Sequence, residues 1–320
     1  MVTGLAMGML ACSAAPCESS QCVGGGGGTV STGGGGTTGG GGGGGGPTGG
    51  GGGGDATGGG AATDAGVPPG RGYVTLLQSE ARTDAGVWYY GGVSAGFSSG
   101  RTLPGNGNWA CTNTTMSACL VTRCQPDAGV AADAGPRWVS AGDLTLFNTS
   151  VDGGVVLSPT PTLTYGAGFP ERLFQGGERL HFAASGATVS PFSSPGVVAP
   201  GYATLISPHC VDTGCGVVDR ARPLTVSWTG SDGDTILVII SSGSTAEAVA
   251  IQCVAPAASG STTIGTDVLS LLPAQSGSVG GGPYPSFNVQ LGREATFDAN
   301  GYEVRFSASR SVATGQVVVQ

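Results

Sequence analysis

The segment Gly92-Val93-Ser94-Ala95-Gly96 has the G-x-S-x-G form of a nucleophile elbow. In that motif a strand turns sharply into a helix and thrusts a serine hydroxyl toward a carbonyl. A hydrolase built on Ser94 would need an imidazole base, and the chain holds two histidines, His181 and His209. Val87 to Tyr90 supplies a plausible strand before Ser94, but Phe97-Ser98-Ser99-Gly100 behind it carries no helical pattern. His181 stands in the alternating run Arg179-Leu180-His181-Phe182, which sends it to a solvent face. His209 precedes Cys210 in a loop. No catalytic residue is therefore expected, and a secreted serine hydrolase using Ser94 is kept as an alternative.

Other side chains could hold ligands. Asp232 and Asp234 in Gly230-Ser231-Asp232-Gly233-Asp234 could ligate calcium, but the twelve-residue EF-hand pattern is absent and a hairpin turn fits better. Cys119 with Cys124, or Cys210 with Cys215, approaches zinc-ligand spacing, with His181 and His209 as helpers. Exported chains use cysteine for disulfides instead, so neither a metal nor a cofactor is expected. Trp88 and Tyr90 share one face of a strand and form a possible ligand platform, the basis of a carbohydrate-binding alternative. Trp109, Trp138 and Trp228 are assigned mainly to the core.

The positions that place these groups begin with Met9-Leu10-Ala11-Cys12, which looks like the end of a bacterial lipoprotein signal peptide. Residues 1–11 would be its remnant and Cys12 the lipidated residue. The first basic residue is Arg71, so the true start is expected further upstream. Ser13 in place of Asp points, within that lipoprotein pattern, to the outer membrane or cell surface. Gly supplies 26 of the 37 residues from Gly24 to Gly60. With almost nothing apolar to bury, residues 12–71 are expected to be a disordered tether, whose Gly-rich coil from about Cys22 to Gly70 spans on the order of 40 Å. A net charge of -8 excludes a phosphate-binding nucleic-acid surface, and the absence of lysine a polybasic membrane patch. The expected partners are the membrane, through lipid, and an unknown envelope or extracellular ligand.

Nine cysteines fit an oxidising compartment. With Cys12 lipidated, Cys17 and Cys22 are close enough to pair locally. Cys111, Cys119 and Cys124 then precede a boundary near residue 208, and Cys210, Cys215 and Cys253 follow it. Three is odd, so full pairing requires at least one bridge across that boundary.

Beyond the tether, short β-branched and aromatic runs alternate with Gly, Pro, Asn and Asp clusters. The runs include Val87–Val93, Trp138–Phe147, Arg179–Ala184, Leu224–Thr229, Thr235–Ser241, Phe287–Leu291 and Tyr302–Ser307. Leu224–Thr229 is expected to form a hairpin with the apolar run Ile236–Ile240. One helical turn is expected near Thr266–Leu272, with Thr266 as N-cap and Pro273 after it. The pattern predicts an all-β fold of one or two packed antiparallel, Ig-like β-sandwiches, with halves at 72–207 and 208–320.

Glu178-Arg179-Leu180-His181-Phe182-Ala183-Ala184-Ser185-Gly186, followed by Val189-Ser190-Pro191-Phe192, resembles a segment of uncharacterised secreted lipoproteins of myxobacterial type. Leu224–Thr229, Ile251-Gln252-Cys253 and Thr262–Leu272 resemble the later part of the same pattern. The resemblance implies a lipid-anchored, disulfide-bonded β region on a Gly-rich linker. It brings no catalytic residues.

Overall fold

The computed structural model describes residues 70–320 apart from 84–85, 101–108, 127–136, 152–153, 211–213, 231–232, 234, 245 and 276–284. Cys12, Cys17, Cys22, the Gly-rich segment, Asp232 and Asp234 lie outside the described residues.

The described chain is all-β. In order, the strands are β1 Gly70–Thr83, β2 Gly86–Ser98, β3 Trp109–Met116, β4 Cys119–Pro126, β5 Trp138–Val139, β6 Leu144–Phe147 and β7 Val155–Leu157. Next come β8 Thr164–Phe169, β9 Arg179–Ala184, β10 Phe192–Ser193, β11 Val197–Val198, β12 Thr204–Ser207, β13 Val217–Val218 and β14 Leu224–Thr229. The last are β15 Thr235–Gly243, β16 Ala248–Pro256, β17 Ser261–Ile264, β18 Ser286–Ala299, β19 Tyr302–Gln316 and β20 Val318–Val319. The short helix α1, Thr266–Leu269, follows β17.

One large sheet runs β3-β4-β16-β15-β18-β19-β1-β2-β5, with β8 also paired to β2. Its neighbours are antiparallel except β1 and β19, which run parallel, Gly70 beside Tyr302 through Gln78 beside Arg310. Strands from both sides of residue 208 thus interleave in one sheet.

Two smaller sheets cover this large one and create two cores. Over β1, β2 and β19 lie β6, β7 and β9, burying Val74, Leu76, Phe97, Leu146, Phe182 and Phe306 together. Over β15, β16 and β18 lie β14, β17 and α1, burying Trp228, Ile236, Ile251, Ile264, Leu269 and Phe287. Each large side chain so buried contributes roughly 1.5–3 kcal/mol. The long strands β18 and β19 run through both cores: Ala299, Val304 and Phe306 belong to the first, Phe287, Val289 and Leu291 to the second.

Three local expectations are corrected. Leu224–Thr229 is a strand, but it forms no hairpin with β15. It pairs with β12 and β17, while β15 pairs with β16 and β18. Val226 and Trp228 on β14 face Ile236 and Ile240 across the second core, so the connection passes between layers. The run Trp138–Phe147 is two strands rather than one, because Gly142 adopts a φ of +75° that breaks it. The Tyr165 hydroxyl pins this break, accepting from Ala141 N and donating to Gly142 O, both at 2.9 Å. Finally, the N-cap of α1 is Gly265, not Thr266. The Gly265 carbonyl accepts from Val268 N and Leu269 N at 3.2 and 3.0 Å, which places Thr266 already inside the helix.

All six described cysteines are bridged, as Cys111–Cys124, Cys119–Cys253 and Cys210–Cys215. Cys119–Cys253 is the bridge that crosses residue 208, and its cysteines face each other across the β4–β16 ladder. Cys111 and Cys124 face each other in the same way across β3 and β4.

Candidate functional site

Alternation along β19 turns Val304, Phe306, Ala308 and Arg310 to one face of the large sheet. β1 adds Val74, Leu76 and Gln78 to that face. β18 sets Leu291 opposite Arg310 and Arg293 opposite Ala308, so the two arginines are diagonal neighbours. The apolar rows of the two cores therefore end at a polar seam. Ala308 closes the first core and Leu291 the second. Between them Gln78 and Arg310 are as buried as their apolar neighbours.

The stretch from Arg172 to Glu178 folds over this seam. Gln78 Oε1 accepts from the backbone N–H of Leu173 at 3.0 Å and of Phe174 at 2.9 Å. That clamp fixes Phe174, whose ring centre lies 5.6 Å from the guanidinium carbon of Arg310. The Tyr202 ring approaches the same carbon to 3.9 Å. Arg310 is only 2 % exposed, and its guanidinium nitrogens have no hydrogen-bond partner among the described residues. Burial lowers its pKa from the usual arginine value and repulsion from Arg172 acts in the same sense; Tyr202 and Glu80 oppose them. Arg172 lies over the Tyr89 ring at 4.4 Å and donates from Nη2 to the Tyr89 hydroxyl. This bond holds the Arg172 pKa above the usual arginine value, against partial desolvation.

Beside these groups lies a cavity of ≈ 440 Å³, lined by Arg172, Arg293 and Tyr202 together with Gly176, Gly177 and Gly201. The glycines permit a close approach of two loops: a Cβ on Gly176 would stand 2.8 Å from the Gly201 Cα. The loops are tied by Gly177 N to Ala199 O at 3.0 Å and Ala199 N to Glu178 O at 2.7 Å. The Glu178 carboxylate is turned to its own loop, where it accepts from Gln175 N at 2.7 Å. Positive charge, an aromatic wall and backbone polar groups converge here, in a chain whose net charge is -8.

The residues singled out from sequence lie elsewhere. Ser94 is in the middle of β2, paired with Thr75 of β1 and Gly166 of β8. A residue laddered on both sides is not at a strand-to-helix turn, so the elbow geometry is absent. His181 lies on β9 opposite Phe147, and their rings stack at 4.8 Å. His209 is exposed beside the Cys210–Cys215 bridge. The thiols considered as zinc ligands are consumed in disulfides. Trp88 and Tyr90, 63 % and 58 % exposed, do share one face of β2, the face opposite Tyr89. Trp228 is buried and donates from Nε1 to Ala257 O at 2.7 Å. Sequence reasoning missed Arg172, Arg293, Arg310 and Tyr202. The available signal was the inward register of Arg310 in the alternation Val304, Phe306, Ala308.

No protein-family model matches the chain, and no curated protein matches it.

Proposed function

We propose that the protein is a lipid-anchored component of the cell envelope, whose disulfide-braced β region serves as a non-catalytic binding or structural module. The observation that carries this reading is the set of three disulfides, which belongs in an oxidising compartment. Anchoring is inferred from Met9-Leu10-Ala11-Cys12, and holding the module away from the membrane from the glycines between Gly24 and Gly60. The position of Ser94 within a paired strand weighs against the hydrolase alternative. Metabolic labelling with a radioactive fatty acid tests the anchor: the wild type takes up label and Cys12→Ser does not. Equal labelling of both would refute it.

A second reading, carbohydrate binding at Trp88 and Tyr90, is favoured by their shared exposure on one strand face. Trp88→Ala would then abolish retention on an insoluble polysaccharide without changing the unfolding midpoint.

A further inference from the structure

The buried Arg310 guanidinium makes no geometric hydrogen bond among the described residues, and the groups that favour its charge are Tyr202 and Glu80. Arg310 sits in an apolar row between two cores, where a methionine of similar reach would fill the same space. Its guanidinium instead faces the rings of Phe174 and Tyr202, and Tyr202 is itself a wall of the cavity. The far side of that ring is open, since Tyr202 is 46 % exposed. Arg172 and Arg293 add two further guanidinium groups to the same wall. Arg172 spends one nitrogen on Tyr89, while its buried Nε has no partner among the described residues. Against these cations stands the Glu80 carboxylate, which attracts both Arg172 and Arg310. Glu178, the acid of the covering loop, is engaged by Gln175 N. Arg172 and Arg293 thus border one cavity while Arg310 lies behind its Tyr202 wall, so guanidinium N–H donors stand beside an aromatic face, and the low-dielectric seam behind Tyr202 strengthens their attraction for an anion.

We propose that this cavity binds a polar, ring-sized ligand through an oxyanion, carboxylate or phosphate. Guanidinium groups present donors in a planar fork that matches either oxyanion, and a tyrosine face accommodates a sugar-like ring. The cavity volume of ≈ 440 Å³ falls in the range of small-molecule sites. This names ligand chemistry for the binding role proposed above and rests on that reading only for the ligand's origin in the envelope.

Calorimetric titration of the full chain with glucuronate, glucose 6-phosphate, inorganic phosphate and glucose tests it. Saturable heat is expected with the two anionic sugars and none with glucose, and glucuronate against glucose 6-phosphate shows which oxyanion is preferred. The affinity should fall as salt rises from about 20 to about 200 mM. Arg172→Met and Arg293→Met should each weaken binding by about tenfold or more, while Arg222→Met, whose side chain is 84 % exposed beside Asp219, leaves it unchanged. Circular dichroism of each variant separates lost binding from lost folding. Absence of saturable heat with both sugars, or equal affinity in wild type and a folded Arg172→Met, overturns the site. Phosphate binding as tight as glucose 6-phosphate overturns the ring-bearing part. The Cys12 labelling result stands apart from all of these, so the anchor and the cavity fail independently.

Discussion

Arg310 lies directly opposite Leu291 on the β18–β19 ladder, a cation in register with a fully buried aliphatic side chain. Burying a charge without hydrogen bonds opposes folding by several kcal/mol, of which ring faces return about 2 kcal/mol. Arg310→Met is expected to leave the unfolding free energy unchanged or raise it by about 1–3 kcal/mol. Urea denaturation read by Trp fluorescence measures this. A loss of more than about 2 kcal/mol would mean that the guanidinium holds the seam together.

Gln78 has the opposite character. Its single oxygen satisfies two buried backbone donors, on Leu173 and Phe174. Gln78→Leu strands both, and a loss of about 2–5 kcal/mol is expected. Because Phe174 would also be released from Arg310, amide exchange at Leu173 and Phe174 should accelerate more than exchange along β15. Uniform acceleration would show a general loss of stability instead.

The three disulfides close chain segments of very different length: 134 residues for Cys119–Cys253, 13 for Cys111–Cys124 and 5 for Cys210–Cys215. Loop-closure entropy then gives roughly 5, 3 and 2 kcal/mol respectively. Replacing each pair by serines should reduce the thermal midpoint in that order. Any other order points to unequal residual structure in the unfolded chain or to distortion of the native one.

Tyr73 is partly buried, packed edge-on against Trp138 with ring centres 6.1 Å apart, and burial raises its pKa above 10.0. Above that pH the unfolded chain releases this proton while the folded chain keeps it. The unfolded state then binds fewer protons, so stability is fully present below pH 10 and falls as pH rises further. Tyr73→Phe should flatten the decline. Chemical denaturation of wild type and variant at a series of alkaline pH values provides the comparison.

Alternation made much of the fold legible. Arg179–Ala184 and Leu224–Thr229 are strands with the boundaries expected from sequence. The run Phe287–Leu291 reads as a short strand because its apolar residues end there, yet β18 continues to Ala299. Beyond Leu291 it carries Arg293, Glu294, Thr296 and Asp298, which a ladder with β19 supports and a hydrophobic pattern cannot reveal. The Thr-rich β3 lacks an apolar alternation for the same reason: it is an edge strand, held by β4 and by Cys111–Cys124. Partner choice was the least legible property. The hairpin expected at Gly230–Asp234 was plausible locally, and only burial of Val226 and Trp228 against Ile236 and Ile240 decides otherwise. The arginine cavity assembles residues 172, 202 and 293 from three separate stretches, so no spacing in the sequence announces it.

The parallel pairing of β1 with β19 also has a consequence for the order of assembly. Thr75 and its hydrogen-bonded partner Ser307 are 232 residues apart, so the first described strand must wait for one of the last before its ladder is complete. Until then the β1–β2 hairpin presents an unpaired edge, a surface on which chains can join wrongly. A chain emerging slowly from a ribosome or a pore would remain unfinished in the middle of its largest sheet until residue 310 was free. Its folding is thereby deferred to the end of delivery, and its rate is governed by a long search rather than by local contacts.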